Sequence, residues 1–280
     1  MAGRSDADAL LNLPPSTMTL PRISAGRHAA TAALAAAVWL ASAKPVLAQA
    51  PADAADAAVH SFSANLALAS DYRYRGLSQS SGRPAIQGGF DYGHASGFYL
   101  GNWNSSISWL GDSHPDVSAP IEMDFYGGYR HAFGDSGWST DVGVLQYYYP
   151  GSYPDRYTSP DTTELYAGIG YGPVTLKYSY APTNLFGLAD SRHSWYADLS
   201  ANVPLGFWGL TLNAHVGYQK VQVAEASYAD WKFGLTKDLG HGFALALAYL
   251  DTNADRAVYT SAKGRYLGRA TVWGSLSKTF

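Results

Sequence analysis

The sequence contains no cysteine among its 280 residues. The chain therefore has no disulfide for an oxidising compartment, and no thiolate for a metal site or a nucleophile. Charged residues are also scarce, at 15% of the sequence, whereas a soluble domain contains about a quarter. After Ala50 no apolar run approaches the roughly 20 residues that a membrane-spanning helix needs. Entry into a membrane would require strands, because only helices and closed barrels satisfy every backbone group in lipid.

The N-terminal region predicts a secretory signal peptide. Arg22, Arg27 and His28 form a basic segment, and residues 29–43 form an apolar one. An Ala-x-Ala site follows, so we expect cleavage after Ala50. The apolar segment is too short to span a bilayer. A buried helix of a cytosolic protein is the alternative interpretation.

Three regions follow from this interpretation. Residues 1–50 are an N-terminal extension with the signal peptide, residues 51–60 a flexible leader, and residues 61–280 one barrel domain. Without the first region, 15 of the 19 Lys and Arg and 20 of the 22 Asp and Glu remain, a balance of about −5. This mildly acidic domain has no basic patch for nucleic acid, so we expect no nucleic-acid partner.

Aromatic residues and glycine are abundant, and strand signals dominate the rest of the chain. The sequence has 21 Tyr and 29 Gly. Alternating segments recur about every 15–20 residues, separated by clusters of Gly, Pro, Asp, Asn and Ser, without a competing helical period. The predicted strands are residues 61–73, 84–94, 97–108, 120–131, 137–148, 161–171, 173–181, 194–203, 207–219, 228–237, 242–251 and 269–280.

Most of these segments separate apolar from polar residues. In residues 120–131, Ile121, Met123 and Phe125 fall on one face, and Glu122 and Asp124 fall on the other. A half-buried soluble sheet alternates in the same way. Two details favour a membrane barrel: the apolar stripes have about the length of a tilted membrane strand, roughly 9–11 residues, and aromatic residues stand at the stripe ends, as interfacial girdles require. Residues 97–108 and 242–251 alternate poorly.

The lengths of the connections give an independent indication. Short and long connections between predicted strands alternate along the whole chain. An outer-membrane barrel has an even number of strands, short periplasmic turns, long external loops and both termini in the periplasm. We therefore predict an all-β fold, a closed antiparallel transmembrane β-barrel of about twelve strands.

The C-terminal segment agrees with this fold. Residues 271–280 alternate and end in Phe280. They resemble the C-terminal strand of bacterial outer-membrane barrels, in which the terminal aromatic residue is the signal that the assembly machinery reads. Outer-membrane lipids and this machinery are the expected macromolecular partners.

Residues 70–80 (SDYRYRGLSQS), 84–92 (PAIQGGFDY) and 94–103 (HASGFYLGNW) carry a more specific similarity. Together they resemble the TorF porin family of proteobacterial outer-membrane proteins. The resemblance implies an outer-membrane barrel with a pore role, and it implies a location in the outer membrane of a Gram-negative bacterium. It names no solute.

If the apolar stripes face lipid, the opposite faces line a lumen. A lipid-facing Arg or Lys would cost about 2–4 kcal/mol near the midplane, and the strand charges fall on the polar faces instead. The predicted pore-lining residues are Asp71, Arg73, Arg75, Asp91, Glu122, Asp124, Arg130, Asp141, Glu164, Lys177, Asp198, His215, Asp230 and Lys232. We expect a porin-like channel for passive diffusion of small hydrophilic solutes or ions through a narrow charged lumen.

The same charges allow a second interpretation, in which they pair across the lumen and close it. Asp71, Arg73 and Arg75 form either a constriction or a structural ladder of ion pairs. A closed barrel would act through its external loops, as a structural or adhesive protein. An outer-membrane lipid-modifying enzyme is the other alternative.

Candidate catalytic and ligand sites are weak. His94 and Ser96 share a strand face, as in a His-x-Ser pair, but lie at the predicted periplasmic end, away from the outer leaflet. His193 and Ser194 are adjacent and point to opposite faces of a strand. We therefore expect no enzymatic activity.

Other patterns leave ligand binding open. Asp112, His114 and Asp116 indicate a solvated loop rather than a metal site, and nothing suggests a cofactor. Residues 147–150 and Tyr153 suit either an interfacial girdle or stacking against a sugar or aromatic solute. An oligomer is compatible with this architecture.

Overall fold

A computed structural model describes residues 59–280. Its strands are β1 His60–Ala69, β2 Arg73–Tyr74, β3 Leu77–Ser78, β4 Ala85–His94, β5 Phe98–Ser106, β6 Ile121–Ala132, β7 Trp138–Tyr148, β8 Thr162–Tyr171, β9 Val174–Ala181, β10 Ser194–Pro204, β11 Leu210–Lys220, β12 Tyr228–Gly240, β13 Phe243–Thr252 and β14 Thr271–Thr279. Two short helices, α1 Trp109–Ser113 and a 3₁₀ turn Gly134–Ser136, complete the elements. No helix between residues 59 and 280 is long and apolar enough to cross a membrane.

Twelve of the strands form a closed antiparallel barrel. Each wall strand pairs with the next in the chain, and β1 pairs with β14 to close the ring. The closing seam is short, since it joins Asn65–Ala69 to Ser275–Thr279. The predicted barrel of twelve antiparallel strands is confirmed.

The connections divide the barrel into two ends, which we call the short-turn end and the long-loop end. The short-turn end carries both ends of the described chain and five turns, such as residues 95–97. The long-loop end carries six loops: residues 70–84, 107–120, 149–161, 182–193, 221–227 and 253–270. This is the alternation of connection lengths that the sequence predicts.

Many strand ends differ from the prediction by one to four residues, and two of these differences have a clear structural cause. The strand predicted to run to residue 73 ends at Ala69, because the chain leaves the wall there and turns into the lumen. The strand predicted from residue 207 begins at Leu210. Trp208 precedes it in a left-handed conformation, with φ of 52°, which is incompatible with an extended strand.

The outer wall is apolar and the inner wall is polar. Phe62, Leu247 and Val272 point outward and are between 61% and 79% exposed, whereas Glu122 and Asp230 point inward and are at most 2% exposed. This is the reverse of a soluble protein, in which large apolar side chains are buried. An exposed apolar band around a closed sheet is the arrangement that lipid requires.

The largest apolar cluster lies inside the barrel, against β5 to β8. It consists of Tyr72, Trp103, Leu145, Tyr147, Tyr149, Tyr166 and their neighbours. Tyr72 belongs to the first long loop, not to the wall. This cluster therefore packs the loop against one side of the lumen.

Candidate functional site

The first long loop folds back into the barrel. We call residues 70–84 the lumen hairpin: Arg73–Tyr74 pairs with Leu77–Ser78 around a two-residue tip. Both tip residues have positive φ, 46° at Arg75 and 78° at Gly76, as in the type I′ turn that suits a tight hairpin. Gly76 also approaches the wall so closely that a Cβ there would lie 2.7 Å from the Cβ of Asp230. The tip thus reaches across the lumen.

Arg75 connects the tip to two strands of the wall, β8 and β11, which have β9 and β10 between them. Its Nη2 donates to Glu164 Oε2 on β8 at 2.8 Å, and its Nη1 donates to Gln219 Oε1 on β11 at 2.6 Å. The guanidinium also lies over the rings of Tyr74 and Tyr196, at 4.7 and 4.2 Å from their centroids. Both partners of the ion pair are nearly inaccessible to solvent. Arg75 therefore ties the tip of the hairpin to the wall between β8 and β11.

Asp71 organises the base of the hairpin. Its carboxylate accepts hydrogen bonds from Arg73 Nε at 2.5 Å, Ser78 Oγ at 2.6 Å and Ser80 Oγ at 2.8 Å. Arg73 Nη1 donates to the carbonyl oxygens of Leu267 and Arg269 in the sixth loop. These bonds make the hairpin rigid and tie its first strand to the end of the chain.

A second anchor lies on the side of β6 and β7. Tyr72 donates a short hydrogen bond to Glu122, which also accepts from Tyr149 at 2.8 Å, and the hydroxyl oxygens of Tyr74 and Tyr147 are 2.6 Å apart. Glu122 therefore holds one side of the hairpin through tyrosine hydroxyls.

Asp124 lies next along the same face of β6, between its cross-strand neighbours Trp103 and Tyr147. Its Oδ1 is buried and has no hydrogen-bond partner in the described chain. An excess of carboxylate thus lies on this side of the lumen.

The opposite wall holds a compact charge network. His215 lies between two carboxylates, with Nδ1 2.9 Å from Asp198 Oδ2 and Nε2 in contact with Asp230. Tyr196 donates to Asp230 Oδ2 at 2.9 Å. Lys232 lies over the ring of Trp273, at 5.3 Å from the centroid. Two carboxylates here lie beside two groups that can carry positive charge, His215 and Lys232.

Below the hairpin, toward the short-turn end, the lumen side chains are more open to solvent. Arg130 is exposed and pairs with Asp141 at 3.0 Å. Tyr126 donates to Asp91 at 2.6 Å. Lys177, over a tyrosine ring, is also partly exposed. This half of the lumen forms a vestibule, whereas the hairpin half is packed.

The predicted pore-lining residues fall into three groups. Asp71, Arg73 and Arg75 stand on the hairpin and not on the wall. The packed wall around it carries Glu122, Asp124, Glu164, Asp198, His215, Asp230 and Lys232, and the vestibule carries Asp91, Arg130, Asp141 and Lys177. At the level of the hairpin the acidic side chains are at most 7% exposed, so the described structure has a filled cross-section there.

Sequence reasoning missed the partners that dock the hairpin, Gln219, Tyr147, Tyr196 and Trp273. The Nε1 of Trp273 donates to the backbone oxygen of Asp71 at 2.7 Å. The alternation of Tyr and Arg in residues 72–75 was the one sequence signal that this segment is buried and forms ion pairs and hydrogen bonds.

At the long-loop end, the carboxylate of Asp112 connects the hairpin to two other loops, and we call these contacts the latch. Asp112 of α1 accepts from Lys263 Nζ at 2.5 Å, Ser81 Oγ at 2.6 Å and Arg83 Nη2 at 2.8 Å. Burial alone would raise the pKa of Asp112, but the hydrogen bonds from Lys263 and Ser81 and the charge of Arg83 lower it to about 2. Asp112 joins the first, second and sixth loops.

The weaker candidates remain isolated. His94 Nδ1 is 2.6 Å from Ser96 Oγ in an exposed turn, at the short-turn end. His193 contacts the hydroxyl of Tyr180. No group of three or more His, Asp or Glu in residues 59–280 is arranged to hold a metal ion.

Comparison with known proteins identifies a family and several similar barrels. A family model described as "Bacterial protein of unknown function (Gcw_chp)" matches residues 53–280. No curated protein sequence matches the chain.

Among solved structures, the KdgM porin is 8% identical, with a TM-score of 0.47, over 78% of this chain and 98% of that one. Outer membrane phospholipase A from Escherichia coli is 13% identical, with a TM-score of 0.41, over 78% and 91%. LpxR from Salmonella typhimurium is 10% identical, with a TM-score of 0.41, over 78% and 99%. At these identities the function must be argued from the residues of this chain.

Proposed function

Because the chain belongs to the Gcw_chp family, bacterial proteins of unknown function, we propose its function from its own geometry: it is a porin-like outer-membrane channel. Small hydrophilic solutes or ions diffuse down their gradient through a narrow charged lumen. The lumen hairpin is the constriction of this channel. We also propose that the chain is a TorF-type porin, which is consistent with the resemblance of residues 70–103.

The outer wall supports the membrane location. Its apolar side chains are exposed all round the barrel, and both ends of the described chain lie with the short turns. In an outer-membrane barrel this end faces the periplasm and the long loops face outward. The vestibule then opens to the periplasm, and the hairpin lies nearer the external mouth.

The observation that carries the proposal is the hairpin itself. A charged loop that enters the lumen and binds β6 through Tyr72, and β8 and β11 through Arg75, sets both the width and the charge of any path. Packing of this kind at the narrowest point, with a wider vestibule below it, suits a small-solute filter. The path conducts when the hairpin moves aside.

The direct test is a recording of single-channel currents. The mature chain, residues 51–280, would be refolded and inserted into a planar lipid bilayer with different salt concentrations on the two sides. We expect discrete conductance steps and a reversal potential that reports the charge of the lumen. Folded protein that never conducts, even under applied voltage, would contradict the proposal.

A closed structural barrel is the second candidate, and one observation favours it. Glu122, Glu164 and Asp230 around the hairpin are each at most 2% exposed, so these side chains pack against the hairpin and not against water. A variant with a displaced hairpin separates the two functions. A channel conducts in the unaltered protein, whenever the hairpin moves aside, and conducts more in the variant. A closed barrel conducts only in the variant.

Three further expectations accompany the proposal. The chain has no hydrolase activity, it uses no cofactor, and its partners are outer-membrane lipids and the outer-membrane assembly machinery. Phe280 lies exposed beyond β14, where the machinery would read it. Phe280→Ala should lower the amount of folded barrel in outer-membrane fractions, while refolding in detergent stays unchanged.

A further inference from the structure

The third long loop contains a cavity that the channel function does not use. This cavity, the loop pocket, has a volume of about 230 Å³ and is lined by Tyr148, Tyr149, Tyr153, Tyr157, Ser159 and Asp161, together with Pro150, Gly151 and Pro160. It lies at the long-loop end, beside the outward-facing Tyr148. The pocket is small compared with drug-sized sites, which measure about 300–1,000 Å³, and suits a single ring.

The loop is held in shape before any ligand arrives. Pro150, Pro154 and Pro160 fix backbone angles along it. Ser152 also forms a two-bond bridge to Ser118 of the second loop, at 2.9 and 3.0 Å. A pre-formed cavity loses little conformational entropy on binding.

Hydrogen bonds within the third long loop also orient the polar groups of the loop pocket. Asp161 Oδ1 accepts the backbone N–H of Tyr149 at 2.9 Å, which leaves the second carboxylate oxygen for a ligand. Tyr153 donates to the Tyr149 carbonyl at 2.7 Å. Burial and the nearby charge of Asp161 raise the pKa of Tyr153 to about 12, so this hydroxyl stays a neutral donor. Of the described lining residues, none is Lys or Arg, which disfavours an anionic ligand.

Tyrosine rings supply the apolar surface. The rings of Tyr153 and Tyr157 are 5.2 Å apart and inclined by 32°, and Tyr157 packs edge-on against His114. A ring ligand with one apolar face and a rim of hydroxyls matches this combination of aromatic carbon, a carboxylate and neutral hydroxyls.

We propose that the loop pocket binds one neutral saccharide ring, through contact with Tyr153 and Tyr157 and hydrogen bonds from ring hydroxyls to Asp161. The proposal is independent of the channel function. The ring belongs either to a free sugar or to the sugar headgroup of an outer-leaflet lipopolysaccharide, since Tyr148 places the pocket near the membrane interface.

The test uses the refolded chain in lipid nanodiscs, with three probes: an array of neutral mono- to hexasaccharides, purified rough lipopolysaccharide, and tetramethylammonium. Tyr157→Ala should weaken saccharide binding by about tenfold or more, as loss of one stacked ring does elsewhere, and Asp161→Asn should weaken it as well. Tyr218→Ala, an exposed tyrosine on β11, is the matched control and should bind as the parent does. Circular dichroism checks that every variant is folded.

Each outcome decides the proposal. Binding to array sugars that is lost in Tyr157→Ala supports a free-sugar site. Binding to lipopolysaccharide alone, with the same loss, supports a headgroup site. Binding of tetramethylammonium without any saccharide, or no binding to any probe, overturns it, as does equal loss in the Tyr218→Ala control.

Discussion

Removal of the Arg75 side chain should release the lumen hairpin. Arg75→Ala deletes the ion pair to Glu164, the hydrogen bond to Gln219 and the contacts with two tyrosine rings. It also leaves Glu164, whose side chain is 1% exposed, with the Tyr147 hydroxyl at 3.3 Å as its remaining side-chain partner. The docked hairpin therefore becomes the more strained state.

The size of the effect follows from the burial of the pair. Loss of one partner from a buried ion pair costs about 3–5 kcal/mol. Since each 1.4 kcal/mol is a factor of ten, the ratio of undocked to docked hairpin should rise by a factor of roughly 10² to 4 × 10³. Undocking of the hairpin removes this energetic cost, because the Glu164 carboxylate is then hydrated.

Bilayer recording measures this change directly. Arg75→Ala should give larger or more frequent conductance steps than the parent. Arg130→Ala is the control, because Arg130 also faces the lumen but lies in the open vestibule and does not touch the hairpin. A second substitution, Glu164→Gln in the Arg75→Ala background, removes the unpaired charge and should bring the conductance back toward that of the parent.

Two results would refute this reasoning. If folded Arg75→Ala conducts as the parent does, the hairpin does not limit passage. If Arg130→Ala and Arg75→Ala raise conductance equally, the effect comes from lumen charge in general and not from release of the hairpin.

Three further predictions concern other parts of the barrel. Gly76→Ala should raise conductance as well, because a Cβ there meets Asp230 at 2.7 Å, whereas Gly264→Ala, also at positive φ but with open space around it, should not. The contacts of Asp112, whose pKa is lowered to about 2, should hold at pH 4 and weaken only as pH falls toward 2. A carboxyl group with a depressed pKa contributes stability above its ordinary pKa, and this stability is lost as pH falls through the depressed pKa. Pepsin cleavage of the loops across this pH range measures the change, and early cleavage at pH 4 would contradict the prediction. Leu247→Arg, on the outward face, should destabilise the barrel by about 2–4 kcal/mol in lipid vesicles, and an unchanged urea midpoint would place that face away from lipid.

The wall of the barrel was predictable because its signals are local. Alternation within β6, such as Glu122 against Phe125, depends only on the strand period of two. The connection lengths likewise need no knowledge of distant contacts. Both signals follow from a sheet with apolar side chains on its outer face and polar side chains on its inner face.

The two strands without clear alternation have physical explanations in the structure. On β5, Trp103 points inward because Tyr72 of the hairpin packs against it, at 5.3 Å between ring centroids. On β13, Ala246 and Ala248 point inward beside the buried Trp273. On β5, two polar residues, Asn102 and Asn104, also share the outward face, because Asn102 pairs with the outward-facing Phe90 and Phe125. On β13 the inner face is apolar because side chains, and not water, pack against it.

The hairpin itself was not predictable from the pattern of residues 61–73. Asp71 and Arg73 continue the alternation of the preceding strand, so the pattern extends the wall where the chain in fact turns inward at Ser70. What decides the turn is a set of partners far along the chain, such as Glu164 and Gln219. Without knowledge of where these partners lie, the sequence cannot distinguish a constriction in the lumen from a ladder of ion pairs on the wall.

The separation of the hairpin from its partners also sets an order of folding. The hairpin follows β1, the first wall strand, but its partners Glu164, Gln219 and the Arg269 carbonyl lie 89, 144 and 196 residues later. Contacts of such high sequence separation form late, after the intervening chain has been brought together. Until β14 pairs with β1, the hairpin lacks part of its set of binding partners. We therefore expect the lumen to stay open until the seam between β1 and β14 forms, and the hairpin to fill it in the last step of folding.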